Sequence, residues 1–182
     1  MEEKNKAWQT LSSKYLFRRP WLTVRCEDML LPNGNHIPEY YILEYPDWVN
    51  TIAITKEGKF VFVRQYRPGI GRTCYELCAG VCEKEDVSPL VSAQRELWEE
   101  TGYGNGNWQE YMVVSANPST HTNLTHCFLA TDVELIDHQH LEATEDISVH
   151  LLTLEEVRTL LENNEIMQSL NAAPLWKYMA SL

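Results

Sequence analysis

Positive charge is scarce in this chain: 15 lysines and arginines stand against 26 aspartates and glutamates, for a formal net charge of −11. Binding a nucleic-acid backbone requires many cationic contacts to phosphate, so this shortage argues against nucleic acid as the main partner. Long apolar runs are missing as well. Nowhere do 18 apolar residues follow one another, which excludes a membrane-spanning helix, and Met1 to Lys6 are polar and charged, unlike a secretory leader. Cysteine is sparse and odd in number, with Cys26, Cys74, Cys78, Cys82 and Cys127. Three of them share four-residue spacing, but no fourth ligand with zinc-like spacing follows, so reduced thiols in a cytoplasmic compartment are the expectation. The six histidines include His121, His126, His138, His140 and His150, which we read as surface or packing residues. Repeats, linkers and low-complexity tracts are also absent. What remains, 182 residues of which 44% are hydrophobic, is enough to bury the core of one compact domain.

Strand signals dominate the first part of the chain. Trp21 to Glu27 and His36 to Tyr45 flank Pro32-Asn33-Gly34-Asn35, and Asn-Gly is a strong hairpin signal. Thr51 to Thr55 and Lys59 to Gln65 flank Glu57-Gly58 as a second hairpin, and the segment from Thr73 to Gly80 reads as a strand entering a glycine turn. Met112 to Ser115, Thr125 to Thr131 and Ser148 to Leu152 supply later strands. Thr153 with Glu156 three residues on forms a capping box that opens a helix from Leu154 to about Asn163, and Asn171 to Ala180 is a last short helix. Strands outnumber helices but helices are interspersed, which predicts an α+β chain, a mixed sheet covered by helices in an α/β/α sandwich.

One more helix carries the chemistry. Ser88-Pro89 is a hydroxyl N-cap followed by a proline whose missing N–H is not needed there, and Gly102 is a stop signal. At about 100 degrees per residue Leu90, Ala93 and Leu97 form an apolar stripe, with Glu96 and Glu100 at its border and Glu99 just beyond. Carboxylates three and four residues apart are helix neighbours and repel one another unless a cation lies between them. Arg95 is the one basic residue in that stretch, so a divalent cation is the economical answer.

The order of residues is Gly80, five residues, Asp86, eight residues, then Arg95-Glu96-Leu97-Trp98-Glu99-Glu100-Thr101-Gly102-Tyr103. It resembles the Nudix box, Gly-x5-Glu-x7-Arg-Glu-U-x-Glu-Glu-x-Gly-U with U aliphatic or aromatic. The second half matches fully; the first has Asp86 for glutamate and one extra residue before Arg95. Counting from Glu85 restores the residue type and worsens the spacing. Leu31-Pro32-Asn33-Gly34, Arg64-Gln65-Tyr66-Arg67-Pro68, Glu76-Leu77-Cys78-Ala79-Gly80 and Pro118, fifteen residues beyond Tyr103, look like the ADP-ribose pyrophosphatase group of that family. Cys78 replaces the group's usual proline.

The resemblance implies a Nudix fold over residues 47–182, with the box at 80–103, and an N-terminal β-rich extension over 1–46 that pairs two chains as a homodimer. It implies magnesium, with manganese possible, held by Glu96, Glu99, Glu100 and the carbonyl of Ala79. Gly80, Arg95 and Gly102 would serve the shape of the motif, with Arg95 orienting the glutamates. Magnesium takes oxygen ligands and keeps several waters, so a few carboxylates plus phosphate oxygens suit it. The catalytic base would be Glu145 or, next, Glu142. Arg67, Glu76 and Pro118 would contact substrate, although a surface salt bridge accounts for Arg67 and Glu76 nearly as well. The implied activity is hydrolysis of ADP-ribose or a related nucleoside-diphosphate sugar to a nucleoside monophosphate and a sugar phosphate. A GDP-mannose-type hydrolase and a non-catalytic nucleotide-sugar sensor are the alternatives.

Overall fold

The computed structural model describes residues 6–182, so the first five residues of the charged opening stretch lie outside the described residues. Contacts divide the chain into two units, residues 1–45 with 117–123 and residues 46–116 with 124–182.

The first unit is an antiparallel meander of β1 (Gln9–Arg19), β2 (Leu22–Leu30) and β3 (His36–Glu44), in that order. The Asn33-Gly34 turn forms as its sequence predicts, with Gly34 at φ 84° and Gly34 N–H donating to Leu31 O at 2.9 Å. Trp21 was expected inside a strand; it instead holds a left-handed turn at φ 64° between β1 and β2. Strand β1 itself was not expected. All eleven of its residues are exposed, so no buried face imposes the alternation by which strands are read. Residues 117–123 join this unit through Leu43 N–H to Thr120 O at 2.8 Å and the Tyr40 hydroxyl to Ser119 O at 2.6 Å.

The second unit is built on β4 (Trp48–Thr55), β5 (Phe60–Arg67), β6 (Arg72–Glu76), β7 (Cys78–Val81), β8 (Tyr103–Gly104), β9 (Asn107–Val114), β10 (Thr125–Leu135) and β11 (Ser148–Leu152). Only β4 and β10 pair in parallel, so the sheet is mixed. Alternation sorts its side chains onto two faces. Ile52, Ile54, Phe60, Phe62 and Leu129 pack with Val157 and Leu161 of α2 (Leu154–Glu162) and Leu175 of α3 (Ser169–Met179). Their neighbours Ala53, Val61 and Ala130 pack with Cys78 and Leu97 of α1 (Pro89–Thr101) on the other side. Helices therefore cover both faces, an α/β/α sandwich.

The stretch from Thr73 to Gly80 is two strands rather than one. β4 and β5 pair directly at Ala53↔Val61 and Ile54↔Phe60 beside their Glu57-Gly58 turn, and then part. β6 takes the freed edge of β5 and β7 that of β4, with the break at Leu77. This separation carries the chain to Gly80 next to α1.

Candidate active site

Helix α1 starts and stops where its sequence predicts: the Ser88 hydroxyl accepts from Val91 N–H, and Gly102 closes the helix at φ 75° with its N–H on Trp98 O at 2.8 Å. Its three glutamates sit at graded depth. Glu100 is 4% exposed, and its carboxylate accepts the Ala79 amide at 3.1 Å. Burial, opposed by hydrogen bonds from the Cys78 thiol and that amide, pushes its pKa up to about 8. Burial also raises Glu96, though Arg95 opposes it. The carboxylate of Glu96 lies directly against the Gly80 backbone, where any Cβ would overlap it.

Arg95 ties these groups together. Its guanidinium donates to Glu96 and Glu99 at 2.9 Å each, to the Val81 carbonyl at 2.9 Å and to Asp86 at 3.0 Å. Asp86 also accepts the Ser92 hydroxyl at 2.8 Å, and with Arg95 as its first cause its pKa falls. The extra residue between Asp86 and Arg95 thus leaves the two in contact. One guanidinium faces the three carboxylates of Glu96, Glu99 and Asp86, an all-oxygen, electron-rich donor set with a surplus of negative charge. That composition fits a hard divalent cation and not a thiolate or imidazole metal.

Period-two geometry on β5 places Gln65 and Arg67 on the α1 face with Val61, and the register sets Glu76 opposite Val63. Arg67 grips Glu76 with two nitrogens, one at 2.8 Å, and Gln65 adds a third donor at 3.4 Å. Because Glu76 is 2% exposed, this is a half-buried bidentate pair and not the surface salt bridge weighed from sequence.

A cleft of about 360 Å³ opens beside the start of the box, lined by Arg67, Ala79 and Gly80 together with Asn50, Thr125 and Asn171. The last three are buried, and Asn50 Oδ1, Thr125 Oγ1 and Asn171 Oδ1 have no hydrogen-bond partner among the described residues. Unpaired buried polar atoms are costly, so groups of this kind at a cleft are poised for a ligand's hydroxyls or amines. Sequence reasoning passed over all three. The available signal was Asn50, a polar residue inside the apolar run Trp48–Ile54.

In the loop before β11, the Glu145 carboxylate accepts the Glu142 amide at 2.9 Å, and its negative charge is among those that raise Glu100. Glu142 contributes its backbone to that contact. Pro118 falls in the first unit.

Residues 45–172 match the Nudix domain family, and residues 8–43 match the nucleoside diphosphate sugar hydrolase N-terminal domain. The chain belongs to the Nudix family. An ADP-ribose pyrophosphatase of Bacillus subtilis is 31% identical over 94% of this chain and 90% of its own length. A methanol dehydrogenase activator of Bacillus methanolicus is 30% identical over 88% and 86%. A GDP-mannose pyrophosphatase of Escherichia coli K12 is 29% identical over 62% of each chain. Among solved structures, an ADP compounds hydrolase superimposes with a TM-score of 0.85 over 100% of this chain and 97% of its own, at 20% identity, a likeness of Nudix fold. In Nudix terms the box departure at Asp86 is absorbed by the loop, because Asp86 still meets the arginine of the motif. No helix among the described residues of this Nudix chain is long and apolar enough to cross a membrane.

Proposed function

We propose that this chain is a cytoplasmic, magnesium-dependent hydrolase of the diphosphate bond of ADP-ribose or a closely related nucleoside-diphosphate sugar, acting as a homodimer. The observation that carries the reading is the carboxylate set of α1, with Glu96 and Glu99 held by the Arg95 guanidinium and Glu100 by the Ala79 amide, beside a cleft lined by Ala79 and Gly80 together with unpaired hydrogen-bonding atoms. The activities for which the Bacillus subtilis and Escherichia coli relatives are named support the substrate class.

Glu96, Glu99, Glu100 and the Ala79 carbonyl would hold magnesium, or manganese in its place. When bound, the ion neutralises the diphosphate and lowers the pKa of a coordinated water. Arg95 and Gly80 position the carboxylates. Glu145 takes the proton of the attacking water, whose oxygen bonds to phosphorus as the bridging P–O bond breaks, leaving a nucleoside monophosphate and a sugar phosphate. Arg67, anchored by Glu76, binds a phosphate or the sugar, and Glu76 keeps lone pairs for a hydroxyl. Asn50, Thr125 and Asn171 accept sugar hydroxyls in the cleft.

The test is turnover of a panel that includes ADP-ribose and GDP-mannose, with magnesium. ADP-ribose should give AMP and ribose phosphate. Glu145→Gln should lower kcat by about 10²–10⁴, the range for a general base, and Glu100→Gln should abolish metal-dependent turnover. No turnover of any member would make the chain a sensor. Preference for GDP-mannose would change the sugar and base, and loss in Glu100→Gln alone would move the base to Glu142.

A further inference from the structure

The loop that follows β10 folds back onto the C-terminal end of α1. Ile136 N–H and Asp137 N–H donate to the Gly102 carbonyl at 2.9 and 3.1 Å, His140 N–H to that of Glu99 at 2.8 Å, and the Gln139 side chain to that of Glu100 at 2.7 Å. The loop thus takes up carbonyls that a helix end leaves without partners, and its backbone is fixed by the helix. On this frame Asp137, His138 and His140 converge. Asp137 accepts contacts from His138 Nδ1 at 2.7 Å and from His140 Nε2 at 3.0 Å, and one ligand atom from each of the three lies within 4.8 Å of the others. The imidazoles lie tilted against each other with centroids 4.3 Å apart, and His140 lies tilted against Trp98 at 4.2 Å.

We propose that Asp137, His138 and His140 form a second cation site, one for a borderline transition ion such as zinc or nickel, separate in chemistry from the box. Two imidazoles and one carboxylate are a ligand set that such ions prefer, whereas magnesium prefers the all-oxygen set. Donors about 2.1 Å from a shared ion stand roughly 3.4 Å apart in a tetrahedron, so side-chain rotation on the fixed backbone closes the site, with water completing the shell. The position favours a cation: it caps the negative end of the α1 dipole, and α1 has no basic residue in its last turn. Hydrogen bonding to His140 first, and then to the His138 amide, lowers the Asp137 pKa to about 2. Sequence reading took these histidines for surface or packing residues because their spacing is no recognised ligand pattern; the loop's anchorage supplies the convergence that spacing alone does not show.

The experiment is calorimetric titration of the full chain with nickel or zinc in saturating magnesium, which keeps the box carboxylates occupied. One ion per chain should bind, and His138→Ala, His140→Ala and Asp137→Asn should each weaken it at least tenfold. Nickel should also quench tryptophan emission, and because the chain has six tryptophans the decisive comparison is Trp98→Phe, which should lose most of the quench while binding is kept. Unchanged affinity in a folded His138→Ala/His140→Ala double variant, checked by circular dichroism, would overturn the proposal. So would a nickel isotherm that magnesium abolishes, since the ion would then sit at the box.

Discussion

Glu100 shows how one buried carboxylate couples protonation to metal binding. Its folded pKa of about 8 lies above the ordinary glutamate value of 4.5, chiefly because burial disfavours the charge. A raised pKa means that the metal-free fold holds a proton the unfolded chain releases. Its contribution to stability is therefore complete below about pH 4.5 and is lost as pH rises through about 8. A bound cation reverses the preference, since it needs the carboxylate ionised. Magnesium binding at pH 6.5 should consequently release close to one proton, falling towards zero above pH 9, and its apparent affinity should climb with pH and level off near 8. Calorimetry in buffers of different ionisation enthalpy reads this directly. Glu100→Gln should remove the proton release, and a wild type that binds magnesium without releasing protons at pH 6.5 would contradict the burial argument.

At the scale of the element, the glycines at the two ends of the box have opposite duties. Gly80 faces the movable end of a side chain, the Glu96 carboxylate, whereas Gly102 stands at φ 75° with the backbone carbonyl of Asp137 where a Cβ would go. Gly80→Ala should leave the urea midpoint nearly unchanged while displacing Glu96 and weakening magnesium tenfold or more. Gly102→Ala should cost at least about 2 kcal/mol of stability, from left-handed strain of about 1–2 kcal/mol plus a clash that cannot relax without moving the loop. Paired urea and magnesium titrations of the two variants separate these effects, and equal stability losses would show that Gly80 is constrained by backbone packing instead. Gly102 was legible in the sequence as a helix stop, as were the Ser88 cap of α1 and the Thr153/Glu156 box, because capping is local chemistry. The break at Leu77 was not, since it depends on β4 and β5 parting and freeing two separate edges. Nor was the convergence of Asn50, Thr125 and Asn171, which come from two strands and a helix far apart in the chain.

At the scale of the whole molecule, the sandwich of the second unit could be read from its order of strand and helix signals, because its central strands β4, β5 and β10 are apolar runs buried under helices. The N-terminal unit was less legible, and for the same physical reason it predicts a partner. Strand β1 is an edge strand, paired only to β2 among the described residues, and its eleven residues are exposed. Around it Trp8, Leu11, Tyr15, Leu16, Phe17 and Trp21 leave 39–81% of their surface in water. A long unpaired edge beside a cluster of aromatic and aliphatic side chains is a surface that folded proteins normally cover. In the homodimer proposed above, a second copy of this chain would supply the cover. Light scattering should give twice the chain mass of 21.1 kDa. If that dimer forms over β1, the Phe17→Glu/Trp21→Glu variant should run as a monomer, because carboxylates buried by the second copy without a cationic partner would each cost at least a few kcal/mol. Its far-ultraviolet dichroism should be preserved, since neither side chain is part of a buried core. A wild-type monomer at concentrations well above micromolar would mean that these aromatics serve something other than self-association.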